Sequence, residues 1–253
     1  MKYLSASDAR ELPGLRLALT AGVPAPWSES AKALFRLRNI DYLPVEQLGG
    51  QGNEELLSWT GHRNAPVAIY QQEAPRVRWI EMIELAERLG QGPRLLPDTL
   101  NERITTIGLC NEIAGETGFG WYARVLMLKQ MINDRGEEAT RSPIFRDYSR
   151  GIDNIEQSID RIREVLECLQ MQLQAQKALE SPYLVGSGLS AADVFWAYFS
   201  LLLKPLPSDL CDAPDYILQF WSAVPAAIGL MPDELLTHRN FMFEKHLLTP
   251  MSF

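Results

Sequence analysis

The sequence predicts an α/β N-terminal half joined to an all-helical C-terminal half. Three observations carry this. Up to residue 89, short apolar segments bounded by Gly and Pro alternate with amphipathic stretches of helical spacing. The run Gly90-Gln-Gly-Pro-Arg-Leu-Leu-Pro97 then breaks all periodicity and reads as a linker. Beyond it the chain reads as helix throughout, which places the expected division between residues 1–92 and 98–253.

In chain order, Leu15 to Ala21 is a short apolar strand, and Val23-Pro-Ala-Pro26 forces a turn. A helix follows, with Pro26 suited to its first position, Ala31, Leu34 and Phe35 on its apolar face, and Asn39 as its stop. Asp41 to Glu46 reads as a second strand. After the turn Gly49-Gly-Gln-Gly52, Asn53 can cap a short helix whose first turn carries Glu54 and Glu55. Ala65 to Tyr70 is a third strand opening on Pro66, and Gln71 to Val77 turns back as a hairpin. Trp79 to Leu89 is again amphipathic.

In the second half, Ile152, Ile155, Ile159, Ile162, Val165, Leu166 and Leu169 keep a 3–4 repeat over five turns. Ser190-Ala-Ala-Asp193 before an apolar run is a capping-box start, with Leu189 and Val194 placed as a hydrophobic staple. The longest apolar stretch, Val194 to Leu203, spans about half of the roughly 20 residues a bilayer helix needs. It reads as a buried core helix.

Composition narrows the function. Apolar residues make up 46% of the chain, enough for a substantial core, and 32 acidic against 24 basic residues give a formal charge of −8. That balance argues against a nucleic-acid or anionic-membrane surface, so any anionic ligand must be held by local groups. The N-terminus lacks the basic start and apolar run of a secretory signal. Cys110, Cys168 and Cys211 are far apart, odd in number and without metal-ligand spacing, which fits unpaired packing thiols in a reducing cytoplasm. His62, His238 and His246 have no metal or triad spacing and are expected at the surface, so no metal is expected.

Four segments in fixed order resemble the cytosolic glutathione transferase superfamily, and the chain as a whole resembles a bacterial glutathione S-transferase-like protein. Ala25-Pro-Trp-Ser-Glu-Ser to Asn39-Ile40 resembles the active-site turn and first helix. Ala65-Pro66 is similar to the family's cis-proline pair. Glu81 to Leu89 resembles the helix that grips the glutamyl end of glutathione, and Tyr183 to Asp193 resembles the family's buried capping box. The resemblance implies a thioredoxin-like N-terminal domain, an all-α C-terminal domain, glutathione as the cofactor, and commonly a homodimer.

The same register exposes two departures. Ala25 stands where the family usually has Cys or Ser, and alanine can neither donate to a thiolate nor form a mixed disulfide. Met82 stands where a serine would hold the glutamyl carboxylate. With no cysteine between residues 22 and 32, a thiol-disulfide enzyme is disfavoured. The resemblance leaves Ser28 as the candidate catalytic hydroxyl, with Ala25, Trp27, Ala65, Pro66, Glu81 and Met82 as cofactor-binding positions. Arg63, Arg76 and Arg78 are spare partners for a carboxylate. Phe119, Trp121, Tyr122 and Arg124 would line the side that receives a small hydrophobic electrophile. The expected function is transfer of the glutathione thiol to that electrophile. The alternative is a non-catalytic dimeric binding or scaffold protein using the same fold.

Overall fold

The computed structural model describes residues 1–253. A short helix, α1 (Ala6–Arg10), opens the chain, with the Ser5 hydroxyl accepting from the Asp8 N–H; sequence reasoning missed it because five residues carry little periodicity. Next come β1 (Leu15–Thr20), α2 (Pro26–Leu37), β2 (Leu43–Gln47), α3 (Glu54–Thr60), β3 (Val67–Tyr70) and α4 (Trp79–Leu89). The sheet order is β2-β1-β3. β2 runs parallel to β1, and β3 antiparallel to it with Ala18 opposite Val67. β1 is apolar and buried almost throughout because helices cover both faces of the sheet.

Local signals account for most boundaries. Asn39 adopts the left-handed conformation (φ 56°) just after α2 and stops it. The expected hairpin shrinks to one bridge, Ala68 with Arg76, held by two 2.9 Å backbone bonds. Asn53 does not cap α3 by its side chain. Its amide instead accepts from the Leu48 N–H and donates to the Leu48 and Arg63 carbonyls, closing the preceding loop.

The linker is anchored rather than loose. Arg38, buried at the end of α2, donates to the carbonyls of Ala86, Glu87, Gly90 and Gly92. The backbones come so close that a Cβ on Gly90 would lie 2.7 Å from the Arg38 carbonyl oxygen, so glycine is required there.

The second half contains α5 (Leu100–Ala114), α6 (Phe119–Arg135), α7 (Pro143–Tyr148), α8 (Ile155–Lys177), α9 (Ala191–Phe199), α10 (Asp215–Trp221), α11 (Ala223–Ile228) and α12 (Asp233–Lys245). α8 starts at Ile155, three residues later than its apolar repeat, because Asn154 caps it by accepting from the Gln157 N–H. No helix is long and apolar enough to cross a membrane. One core of 50 buried residues runs through both halves.

The capping box at α9 exists and does more than cap. Asp193, 0% exposed, accepts from the N–H of Leu184 (2.7 Å), the N–H and hydroxyl of Ser190 (2.8 and 2.6 Å), and Nε2 of His238 (2.8 Å). His238 is therefore not a surface residue: it is 4% exposed and joins α12 to α9. His246 is also half-buried, against the Tyr183 hydroxyl, whereas His62 is exposed. Asp193→Ala would leave several buried donors without an acceptor. It is expected to lower the unfolding free energy by about 3 kcal/mol or more, measured by urea denaturation.

Candidate functional site

The candidate site lies where β1 ends. Ala25 is the N-cap of α2, extended in backbone and without a side-chain bond to the helix, and Pro26 takes the first helical position. The Trp27 and Ser28 N–H groups consequently have no acceptor within the chain. The antiparallel register places Ala65, two residues before Val67, level with Thr20 at the same end of β1. The Ala65–Pro66 bond is cis, and the N–H and C=O of Ala65 make no backbone bond. Main-chain groups of α2 and of the cis-proline turn are thus open side by side.

The side chains expected to act there are engaged elsewhere. Ser28 is 1% exposed. Its hydroxyl accepts from the Thr20 N–H at 3.1 Å and lies 3.4 Å from the Thr20 hydroxyl, so it ties α2 to β1 and does not face the groove. Met82, also 1% exposed, is core, and its N–H donates to the Arg78 carbonyl. Glu81 accepts from the N–H groups of Val77 and Arg78 and from the Arg78 guanidinium, at 2.9 to 3.0 Å, and so caps its own helix. Arg63, Arg76 and Arg78 are not spare cations: they pair with Asp147, Glu73 and Glu81.

The expected electrophile wall divides in two. Phe119 is fully buried against Trp196, and Tyr122 borders a polar groove with Asn154, Gln157, Asp160 and Arg161. Trp121 and Arg124 do meet the site. The Arg124 guanidinium carbon lies 4.1 Å from the Trp27 ring centroid, 3.9 Å from that of Tyr148 and 5.6 Å from that of Trp121. Trp27 is held in turn by its indole N–H on the Ala114 carbonyl (3.1 Å) and by edge packing on Phe199 at 4.6 Å. Gly120 allows this approach, since a Cβ there would clash with Phe199 and lie 2.8 Å from Trp27 Cη2.

Sequence reasoning missed Tyr148 and Asp147. α7 crosses to the cis-proline turn, where Asp147 receives both a bidentate Arg63 and the Asn64 amide (2.9 Å). The Arg63 hydrogen bond, foremost, holds the Asp147 carboxyl below its ordinary range. Burial pushes the Tyr148 hydroxyl up, with Arg124 pulling it back, and burial also lowers the Arg124 guanidinium. The C-terminal tail binds α2 away from its first turn, through Lys32 on the Ser252 carbonyl and Arg36 on that of His246.

No family model matches the chain, and no curated protein sequence matches it. Solved structures do. A glutathione S-transferase from Methylobacillus flagellatus, solved with glutathione bound, is 13% identical, with 91% of this chain and 95% of that one covered and a TM-score of 0.61. A glutathione S-transferase domain-containing protein from Marinobacter aquaeolei is 13% identical, with 92% and 100% covered and a TM-score of 0.64. A glutathione S-transferase from Methylobacterium radiotolerans, in complex with glutathione sulfonate, is 12% identical, with 94% and 97% covered and a TM-score of 0.58. The chain has the glutathione S-transferase fold: a thioredoxin-like sheet half followed by a helical half.

Glu81 gives a pH test of its capping role. Burial alone would raise its carboxyl, but the bonds from the Arg78 guanidinium and from the Arg78 and Val77 amides outweigh that and bring it to about 2. A depressed carboxyl stabilises the fold above its unfolded pKa, and that contribution disappears as pH falls through the folded value. Glu81→Gln should therefore be less stable than the parent at pH 7, with the gap closing between about pH 4.5 and pH 2 in urea melts.

Proposed function

We propose that this chain is a glutathione S-transferase-like protein that binds glutathione against main-chain groups and passes its thiol to a small electrophile. The observation that carries this is the cluster of open groups at the end of β1: the N–H of Trp27 and Ser28, and the N–H and C=O of Ala65 beside cis-Pro66. An extended cysteinyl residue can pair with Ala65 as an added strand does. The two amides and the positive end of α2 favour a thiolate over a thiol.

Without a hydroxyl at position 25, thiol activation rests on those amides alone. With Glu81 capping its own helix and Met82 buried, the glutamyl end of the ligand finds few side-chain partners. Weak glutathione affinity and slow transfer follow. The same two facts favour a second reading, a non-catalytic binding or scaffold protein.

Calorimetry with millimolar glutathione and a conjugation assay with 1-chloro-2,4-dinitrobenzene separate these readings. Binding with measurable turnover supports the first, binding without turnover the second, and absence of binding removes glutathione from both. Ser28→Ala should leave any turnover unchanged and lower stability by about 1 kcal/mol. Ala25→Ser should raise stability by about 1 kcal/mol through an N-cap and increase turnover.

The unpaired Cys110, Cys168 and Cys211 support a cytoplasmic setting, although Cys168 is exposed rather than packed. Leu100 and Ile104, one turn apart on α5 and 68% and 60% exposed, support a homodimer. Sedimentation should show a dimer that Ile104→Asp dissociates.

A further inference from the structure

The electrophile side of this site contains one feature that a purely hydrophobic substrate would not use. Arg124 rises from the second turn of α6 into the seam between the two halves. It has no carboxylate partner and no hydrogen-bond acceptor in the chain; the one charge it feels comes from Tyr148. The other cleft arginine, Arg63, is bound to Asp147, and Asn64 also donates to that carboxylate. Asp147 is therefore already neutralised and neither holds Arg124 nor repels an incoming anion.

What Arg124 has instead is aromatic packing, with Trp27 and Tyr148 at about 4 Å and Trp121 farther out. Rings stacked on the flat faces of a guanidinium leave its in-plane N–H edge for a ligand. None of its unpartnered nitrogens is sealed from solvent; the buried polar atoms without partners are those of Tyr3, Arg16, Ser30 and His238. A half-desolvated cation with a fixed, open fork matches a carboxylate in bidentate geometry. The surrounding rings match a flat, unsaturated body attached to it.

We propose that Arg124 is an anion-recognition residue, and that the electrophile of this protein is a small carboxylate-bearing aromatic or conjugated molecule. The assignment rests on the transferase reading above. For a chloroarene acid, the thiolate would form a C–S bond at the ring carbon and chloride would leave with the bonding pair. The thiol proton would pass to solvent, and the carboxylate would remain unchanged on Arg124.

Calorimetry with 3,5-dinitrobenzoate and 3,5-dinitrobenzamide, which differ in charge but hardly in shape, tests the proposal without requiring turnover. The parent protein should bind the benzoate about tenfold or more tightly than the amide, as a charge-assisted bidentate pair implies. Arg124→Met, which keeps an apolar stem between the rings, should bind the two equally. Arg124→Lys, which keeps the charge without the planar fork, should retain part of the preference and serves if the Met variant does not fold. Equal affinity in the parent, or a preference unchanged in a folded Arg124→Met protein, would overturn the assignment. Glutathione titrated in parallel separates the two claims. A benzoate preference without glutathione binding keeps the anion site and removes the transferase reading, whereas glutathione binding without the preference removes the anion site alone.

Discussion

A buried carboxylate must be fully satisfied or the fold loses several kcal/mol, and Asp193 imposes that constraint on this molecule. Its donors come from the Leu184 amide, from Ser190 at the start of α9, and from His238 on α12. Meeting all of them fixes where α9 begins and how it is rotated. α9 is then the post on which the rest is hung. Phe195 faces Trp79 at the start of α4, and Phe199 faces Trp27 at the start of α2. The first turn of α2, where the candidate site lies, is thus positioned from a charge buried in the other half.

The seam built on that post explains the character of the site. Trp27 is fixed by Ala114 and Phe199, and Gly120 makes room for both rings. Arg124 then fills the space beside Trp27, and α7 closes from the other side through Tyr148 and the Asp147 pair with Arg63. The side chains that could have met a thiol tripeptide are withdrawn into capping and core packing. Main-chain amides and one cation are left facing the groove, an arrangement that favours anions through geometry and gives up strong general-base chemistry.

Much of the architecture was legible because the signals are local. β1, β2, β3, α2, α4, α8 and the capping box at α9 follow from apolar spacing and turn residues within a few positions of each element. Where local reading failed, competition from remote groups is the cause. Asn53 was a reasonable cap for α3, but the Arg63 carbonyl ten residues on takes one of its amide protons, and the Leu48 backbone takes the rest of its attention. The hairpin after β3 was reduced to one bridge, and α1 was too short to show a period.

By itself the sequence determined the order of elements, the missing side-chain function at Ala25 and the absence of a cysteine beside it, since these depend only on which residue stands where. Only the tertiary structure decided what the remaining candidates do. Each residue of a helix points about 100° from the last, so a shift in packing sends a side chain into the groove or into the core. Ser28 found Thr20, Met82 found the core, His238 found Asp193 forty-five residues away, and Arg63 found Asp147. Arg124 found aromatic faces and no acceptor. The sequence could place a cation in the helical half; three-dimensional packing left its edge unpaired beside the open amides of α2.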